Sequence, residues 1–202
     1  MQIITSGRAF GRCQICLYGI LTVHLSVVII ALQTHAGQIN EVMRITLVRD
    51  DGKVNTMRTL RIEQLVEQMK VETKAQSVSK MREVLPFMLP GDKNDYVQKV
   101  QKVIPAAAFF RKDGITTMSE YNGIVMIQVN NLSGNMEADE VKERVRELPQ
   151  TYLAFTGSSG KSVKIWVRFT YPNDLLPETR EQAELFHAHA YRLAVRSVST
   201  LK

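Results

Sequence analysis

GIVMIQVNNL, residues 123–132, is the strongest strand prediction in this 202-residue chain, because glycine and asparagine bound a run of apolar, largely β-branched residues. A second strand is predicted in TGSSGKSVKIWVRF, residues 156–169, where strict alternation follows a glycine-serine turn. Residues 137–148 lie between them and predict a helix whose first turn is acidic, as the helix dipole favours. Together the three segments indicate a sheet flanked by a helix.

The rest of the chain mixes helices and strands without strict alternation, which favours an α+β fold with a mixed sheet flanked by helices. MRITLVR, residues 43–49, alternates apolar and polar residues and predicts a strand. AAAFF, residues 106–110, predicts a buried strand that ends in a Lys-Asp-Gly turn. Further helices are predicted at residues 62–69, 75–84 and 92–103, and from Pro177 to the C-terminus.

The N-terminal segment differs in composition from the rest of the chain. Arg8 and Arg12 precede an uncharged apolar stretch, residues 15–32, which is long for a signal-peptide core and short for a spanning helix. Three interpretations stay open: a signal peptide cleaved after Ala36, a membrane anchor, and a translation start at Met43.

We expect residues 1–42 to be an apolar extension and residues 43–202 to form the folded domain. The protein is cytoplasmic if translation starts at the later methionine, and membrane-anchored or exported if residues 1–36 are a targeting segment. Both cysteines, Cys13 and Cys16, lie in the extension, so disulfides do not hold the domain together. The net charge of +6 favours an anionic partner only weakly, because many soluble domains carry as much.

Gln128 and Asn130 lie two residues apart near the end of the first strand, so their side chains share a face. Two aspartates at such positions would hold magnesium, because anionic oxygens offset the cost of dehydrating the ion. Amides carry no charge and hold magnesium poorly. We therefore predict neither a metal site nor a cofactor here, and favour amides that form hydrogen bonds at a strand end.

The turn before the second strand consists of Gly157, Ser158, Ser159 and Gly160. It resembles the end of a P-loop, but that motif needs a glycine where the chain has Phe155, and it opens a helix rather than a strand. Backbone N–H groups of such a turn can still bind a phosphate, with Lys161 adding positive charge. A simple hairpin turn is the equally favoured alternative.

Lys164, Trp166 and Arg168 alternate with the apolar positions of the second strand and form its other face. An indole between two cations suits single-stranded nucleic acid, because bases stack on the ring and phosphates contact the charges. The alternatives are an ordinary solvated face and a tryptophan covered by a helix.

In order along the chain, these landmarks resemble the VirE N-terminal domain family of mobile elements in Bacteroides-type bacteria. The resemblance covers residues 43–169 and rests on four segments: ITLVRD, KVIPAAAFFRKDG with SEYNGIVMIQVNNL, VKERVRELP and TGSSGKSVKIWVRF. That family is similar to archaeo-eukaryotic primases, so the resemblance implies a primase-like fold with an RRM-like core. It also implies a helicase-like VirE module as a partner.

The chain departs from the family pattern at the positions that catalysis would require. The family ends its central strand with two aspartates, and Gln128 and Asn130 stand at those positions. A further segment with another acidic residue, expected after the last helix, is missing. We therefore expect a degenerate, C-terminally truncated primase-like domain that binds single-stranded nucleic acid without catalysis, through Lys161, Lys164, Trp166 and Arg168.

Two other functions stay open. One is an active primase or polymerase that uses magnesium and other carboxylates, such as Glu120 or Asp139. The other is an interaction module that docks a helicase partner and does not touch nucleic acid. The sequence identifies no small-molecule substrate.

Overall fold

The computed structural model describes residues 2–3, 19–20, 43–50, 55–71, 77–89 and 102–200. The strands are β1 (Gln2–Ile3), β2 (Gly19–Ile20), β3 (Arg44–Asp50), β4 (Asn55–Arg61), β5 (Lys102–Ile104), β6 (Ala107–Lys112), β7 (Ile115–Tyr121), β8 (Ile124–Asn130), β9 (Thr151–Thr156) and β10 (Ser162–Arg168). The helices are α1 (Ile62–Lys70), α2 (Ser77–Val84), α3 (Asn135–Arg146) and α4 (Arg180–Ser199), with short 3₁₀ turns at Leu85–Phe87 and Pro172–Asp174.

Some predicted features lie outside these ranges. They are both cysteines, the apolar segment 15–32 apart from β2, and residues 92–101 of one predicted helix. β1 and β2, which come from the expected extension, pair with β8 and β5. None of the helices that the structure describes is both long and apolar enough to cross a membrane.

The central sheet has the strand order β1-β8-β10-β9, and neighbouring strands are antiparallel. Along the chain its elements run β8, α3, β9, β10 and α4, with both helices packed on the same face. Over the described residues this is the β-α-β-β-α part of a ferredoxin-like unit. The predicted α+β class is therefore confirmed.

The helix-covered face of the central sheet holds the larger core cluster. Alternate residues of β8 and β10 point into it, as the period of a strand requires. Small residues on the helices allow close approach to the sheet. The buried members include Val125, Ile127, Val129, Val163, Ile165 and Val167 from the strands, and Ala138, Val145, Ala190, Ala194 and Val198 from the helices.

The opposite face of the central sheet is also covered, by α1 and by a second antiparallel sheet of order β2-β5-β3-β4. Burial on both faces explains why β8 is nearly uniformly apolar instead of alternating. The cluster between the two sheets contains Ile45, Leu47, Ile62, Leu65, Met69, Val103, Ile124, Leu153, Phe155 and Trp166. The central sheet thus has no open face along most of its length.

β6 and β7 form a separate hairpin. Its turn places Asp113 and Gly114 at positive φ, 51° and 79°, which fits the Asp-Gly preference of two-residue hairpin turns and confirms the predicted turn. The Thr46 hydroxyl donates to the Ala107 carbonyl at 3.2 Å and accepts from the Phe109 N–H at 2.7 Å. These bonds tie the base of the hairpin to β3.

Three strands differ from the prediction. β4 and β7 were not predicted, because most of their side chains are polar and exposed and show no apolar alternation. Residues 102–104 form β5, so the end of the helix predicted at 92–103 is wrong. The pairing of β5 with β3 overrides its local helical pattern.

Candidate nucleic-acid interface

One end of the central sheet is polar. Here β8 ends at Asn130, and β10 starts opposite it, with Ser162 paired to Asn130 and Lys164 paired to Gln128. The glycine-serine turn, residues 157–161, joins β9 to β10 at the same end. Most residues singled out in the sequence therefore come together in space.

A chain of hydrogen bonds links the polar side chains on this part of the sheet. The Lys164 ammonium donates to Gln128 Oε1 at 2.9 Å. The Gln128 amide N–H in turn donates to Asn130 Oδ1. The predicted role of the two amides as hydrogen-bonding groups at a strand end agrees with this geometry.

Lys164 is a buried cation. Only 4% of the residue is exposed, and burial lowers the pKa of its ammonium from 10.5 to about 8. Among the residues described, no carboxylate lies within ion-pair distance of it, and Gln128 is its one hydrogen-bond partner. At neutral pH the group is still mostly protonated, so a positive charge lies in this polar end without an acidic partner there.

These side chains do not fit a magnesium ion. Magnesium needs anionic or well-oriented neutral oxygens in octahedral geometry. Here the Gln128 oxygen accepts from a cationic ammonium and the Asn130 oxygen accepts from an amide. In the described part of the chain, no cluster of three or more His, Cys, Asp or Glu side chains is suited to a metal either.

The glycine-serine turn is a tight hairpin. The Gly157 N–H donates to the Ser162 carbonyl at 2.7 Å, and the Gly160 N–H donates to the Gly157 carbonyl at 3.0 Å. Gly160 has a positive φ of 74°, and a Cβ at Gly157 would collide with Ser162 Oγ. The strand that follows confirms that the turn does not open a helix as a P-loop does.

Two N–H groups of the turn point to anion binding. No described acceptor takes a hydrogen bond from the backbone N–H of Ser158 or Ser159. Lys161 is exposed and adds a positive charge beside them. Free N–H groups in a compact turn are typical of anion-binding concavities.

Arg82 of α2 binds the backbone of the turn, and this role was not predicted from the sequence. Its Nε donates to the Ser158 carbonyl at 2.9 Å, and its Nη2 donates to the Gly157 carbonyl at 3.1 Å. No local pattern connects residues so far apart in the chain. Arg82 therefore brings α2 and a further positive charge to the candidate site.

Trp166 is not on an open surface. It is 0% exposed, lies between the two sheets and meets Phe155 edge to face at a centroid distance of 5.7 Å. A base cannot stack on a ring that is covered in this way, so the alternative of a covered tryptophan is the one that the structure supports. The covering elements are a sheet and α1.

Arg168 lies on the same strand face as Lys164 but four residues further, about 13 Å along the strand. It is half-buried and pairs with Ile124 at the other end of β8. The candidate site therefore consists of the turn, Lys161, Lys164 and Arg82, and leaves out Trp166 and Arg168.

The comparisons with known proteins give one match. A family model described as the BT4734-like N-terminal domain matches residues 95–202, just over half of the chain. No curated protein and no solved structure matches this chain. The matched range contains the central sheet from β8 onward, both of its helices and the glycine-serine turn. The chain therefore belongs to the BT4734-like N-terminal domain family, a family of Bacteroides.

Proposed function

We propose that this chain is a non-catalytic, primase-like domain that binds the phosphate backbone of single-stranded nucleic acid. The binding site is the polar end of the central sheet, made by Lys164, Lys161, Arg82 and the glycine-serine turn. The observation that carries the proposal is the buried ammonium of Lys164.

Burying a charge without an opposite charge beside it destabilises the folded state. Lys164 is buried, and Gln128 offers it a neutral oxygen in place of a carboxylate. A methionine of similar length would fill the same space without this cost. A positive charge held at such a position is well suited to an anion that enters from the end of the sheet.

The neighbouring groups extend this site in the way that a phosphate backbone requires. The N–H groups of Ser158 and Ser159, which have no acceptor among the described residues, can each donate to a phosphate oxygen, and Lys161 supplies an exposed charge. None of these groups reads a base. We therefore expect binding that depends strongly on salt and weakly on sequence.

Four observations support the primase-like, mobile-element origin within this proposal. The order of motifs resembles the VirE N-terminal domain, and the β-α-β-β-α core suits an RRM-like unit. The family found by comparison is also one of Bacteroides. Gln128 and Asn130 stand where a catalytic relative has acids, which supports binding without nucleotidyl transfer.

The experiment is a titration of labelled oligothymidylate with the purified chain, at two salt concentrations near neutral pH. Lys161→Ala and Lys164→Met should each weaken binding and lower the salt slope by about 0.7 for each phosphate that is left without its cation. Arg146→Ala is the matched control. It also removes one positive charge, but from the last turn of α3, which packs on the opposite face of the central sheet from Lys164. Affinity that ignores salt, or equal weakening in the control, would overturn the proposal.

The same samples distinguish the proposed function from an active primase and from a module that only docks a partner. An active primase would incorporate nucleotides on a template with Mg²⁺ or Mn²⁺, through carboxylates such as Glu120 or Asp139. Asp139 lies on α3 and forms an ion pair with Lys142 at 2.7 Å. A module that only docks a helicase partner would bind the partner and leave the oligonucleotide free.

A further inference from the structure

β7 has an open edge. In the described part of the chain it pairs with β6 alone, and its first three side chains, Ile115 to Thr117, are exposed. The free edge of a strand presents N–H and C=O groups that pair readily with another strand. Many proteins block such edges with lysine or proline, and β7 contains neither. A bulge at Ser119 ends the regular edge, so its open part is Ile115 to Met118.

The hairpin turn determines which backbone groups of β7 point outward. Lys112 and Ile115 flank the two-residue turn, so they form a pair that exchanges hydrogen bonds. Along an antiparallel ladder, such pairs alternate with pairs that do not bond to each other. Thr116 and Met118 belong to the second kind, and their N–H and C=O groups therefore point away from β6.

A hydrogen bond outside the hairpin supports this alternation. Phe109 pairs with Met118, and the Phe109 N–H leaves the hairpin to donate to the Thr46 hydroxyl at 2.7 Å. Both residues of such a pair point outward, so the backbone groups of Met118 do so as well. None of the described residues bonds to the outward backbone groups of Thr116 or Met118. The edge of β7 thus offers two donors and two acceptors in a row.

The outer half of the hairpin, residues 110–117, has little packing of its own. Every residue in it is exposed. Phe110 and Ile115 lie on the same face of the hairpin and are 45% and 69% exposed. A two-stranded hairpin is marginally stable in water, and further strands with a shared apolar face stabilise it. A strand added at the edge of β7 would supply what this half lacks.

We infer that β7 pairs with β7 of a second copy of this chain, antiparallel, across a twofold axis at Thr117. This pairing places Thr116 opposite Met118 of the partner subunit, and the symmetry repeats the match on the other side of the axis, so that four backbone hydrogen bonds form. The two Thr117 side chains meet on the axis as a threonine pair, which sheets favour. The open edge contains no charged side chain, so no like charges face each other.

The dimer does not depend on the proposed nucleic-acid site. The hairpin precedes the start of β8, whereas the glycine-serine turn lies at the other end of β8. Pairing at β7 therefore leaves the turn open. The resulting sheet has the order β6-β7-β7-β6, with Phe110 and Thr117 of both copies on one face.

A disulfide at the axis tests the register. In the full chain carrying Cys13→Ser and Cys16→Ser, Thr117→Cys should form a covalent dimer on mild oxidation. Paired residues that do not exchange hydrogen bonds have Cα atoms about 4.5 Å apart, which a disulfide can span. Thr116→Cys is the matched control and should stay monomeric, because Met118 of the partner subunit lies opposite it. Equal crosslinking of both variants, or none in Thr117→Cys, would overturn the inference.

Charge exchange tests whether the partner is a second copy. Thr117→Lys and Thr117→Glu each place like charges on the axis, so each variant alone should sediment as a monomer at concentrations where the wild-type chain is a dimer. Mixing the two variants should restore the dimer. A mixture that associates no more than its components, or a wild-type chain that stays monomeric, would overturn the second copy as the occupant and leave this edge to a strand of another protein.

A proline separates edge pairing from folding of the hairpin. Thr116→Pro removes an outward N–H and none of the hydrogen bonds between β6 and β7. It should abolish the dimer and leave the circular dichroism spectrum unchanged. A Thr116→Pro chain that still dimerises as the wild type does would exclude pairing through this edge.

Discussion

Lys164 and Gln128 face each other across two antiparallel strands, and the lysine ammonium donates to the glutamine side-chain oxygen at 2.9 Å. A neutral oxygen thus stands where a carboxylate would form an ion pair. The hydrogen bond satisfies one of the three N–H groups of the ammonium, and none of the carboxylates that the structure describes balances its charge. Under the proposed function this charge attracts anions, and its burial makes this end of the sheet unfavourable for stability.

Replacing the buried ammonium should therefore stabilise the fold while weakening nucleic-acid binding. We expect Lys164→Met to raise the free energy of unfolding at pH 7 by about 1–3 kcal/mol, because the desolvated charge is gone. Urea denaturation followed by circular dichroism measures this change. Lys161→Met is the control, since Lys161 is exposed and its replacement should leave stability within about 0.5 kcal/mol.

The same lysine predicts a pH dependence. The folded pKa of about 8 lies below the unfolded value of 10.5, so between these values the folded state binds fewer protons. Stability from this group therefore rises with pH from 8 to 10.5, and the advantage of Lys164→Met should shrink over that interval. An advantage that stays constant from pH 7 to pH 10 would show that Lys164 is not desolvated.

Restoring acids at the end of β8 should create a cation site. Gln128→Asp and Asn130→Asp together place two carboxylates on one strand face, and we expect Mn²⁺ binding to become measurable by titration calorimetry. One carboxylate should be paired by Lys164, so each single variant is the control and should bind little metal. Equal metal binding by the wild-type chain would contradict the reasoning about its amides.

Trp166 should act in folding and not in stacking. Trp166→Ala would leave a large cavity between the two sheets and should lower the free energy of unfolding by about 3–5 kcal/mol. Trp166→Phe, which keeps an aromatic ring against Phe155, should keep oligothymidylate affinity within about twofold when measured on folded protein. A selective loss of affinity in a stably folded Trp166→Phe chain would restore the idea of an open strand face.

His187 predicts instability in acid. It lies within hydrogen-bond distance of the Tyr121 hydroxyl at 3.1 Å, and burial lowers its pKa from 6.5 to about 4. The folded state therefore binds fewer protons between these values, and stability should fall by up to about 3 kcal/mol as pH decreases from 6.5 to 4. His187→Gln should flatten this part of the profile, whereas the exposed His189→Gln should not. Parallel profiles for both variants would exclude His187 as the cause.

The local pattern of the sequence was sufficient to predict the features that depend on a single helix, strand or turn. The apolar run of β8, the alternation of β10 and the Asp113-Gly114 turn each contain their own signal. The same holds for α3 and α4, which the structure places within a few residues of their predicted ends.

Features that depend on distant packing were not predictable. Lys164 and Trp166 alternate with apolar neighbours and so suggested an open strand face, but both are buried, and α1 and the second sheet cover Trp166. The hydrogen bonds of Arg82 with Gly157 and Ser158 join parts of the chain that share no motif. Strand alternation identifies which side chains share a face and contains no information on what lies opposite that face.

α1 and the second sheet cover one face of the central sheet, and the region matched by the family model lacks most of these covering elements. A fragment that began at residue 95 would keep β8, β9 and β10 but lose β3, β4, α1 and α2. Water would then reach Ile124, Leu153, Phe155 and Trp166, and the glycine-serine turn would lose its guanidinium clamp. We therefore expect such a fragment to be less stable and less soluble than a chain that keeps the residues upstream of it.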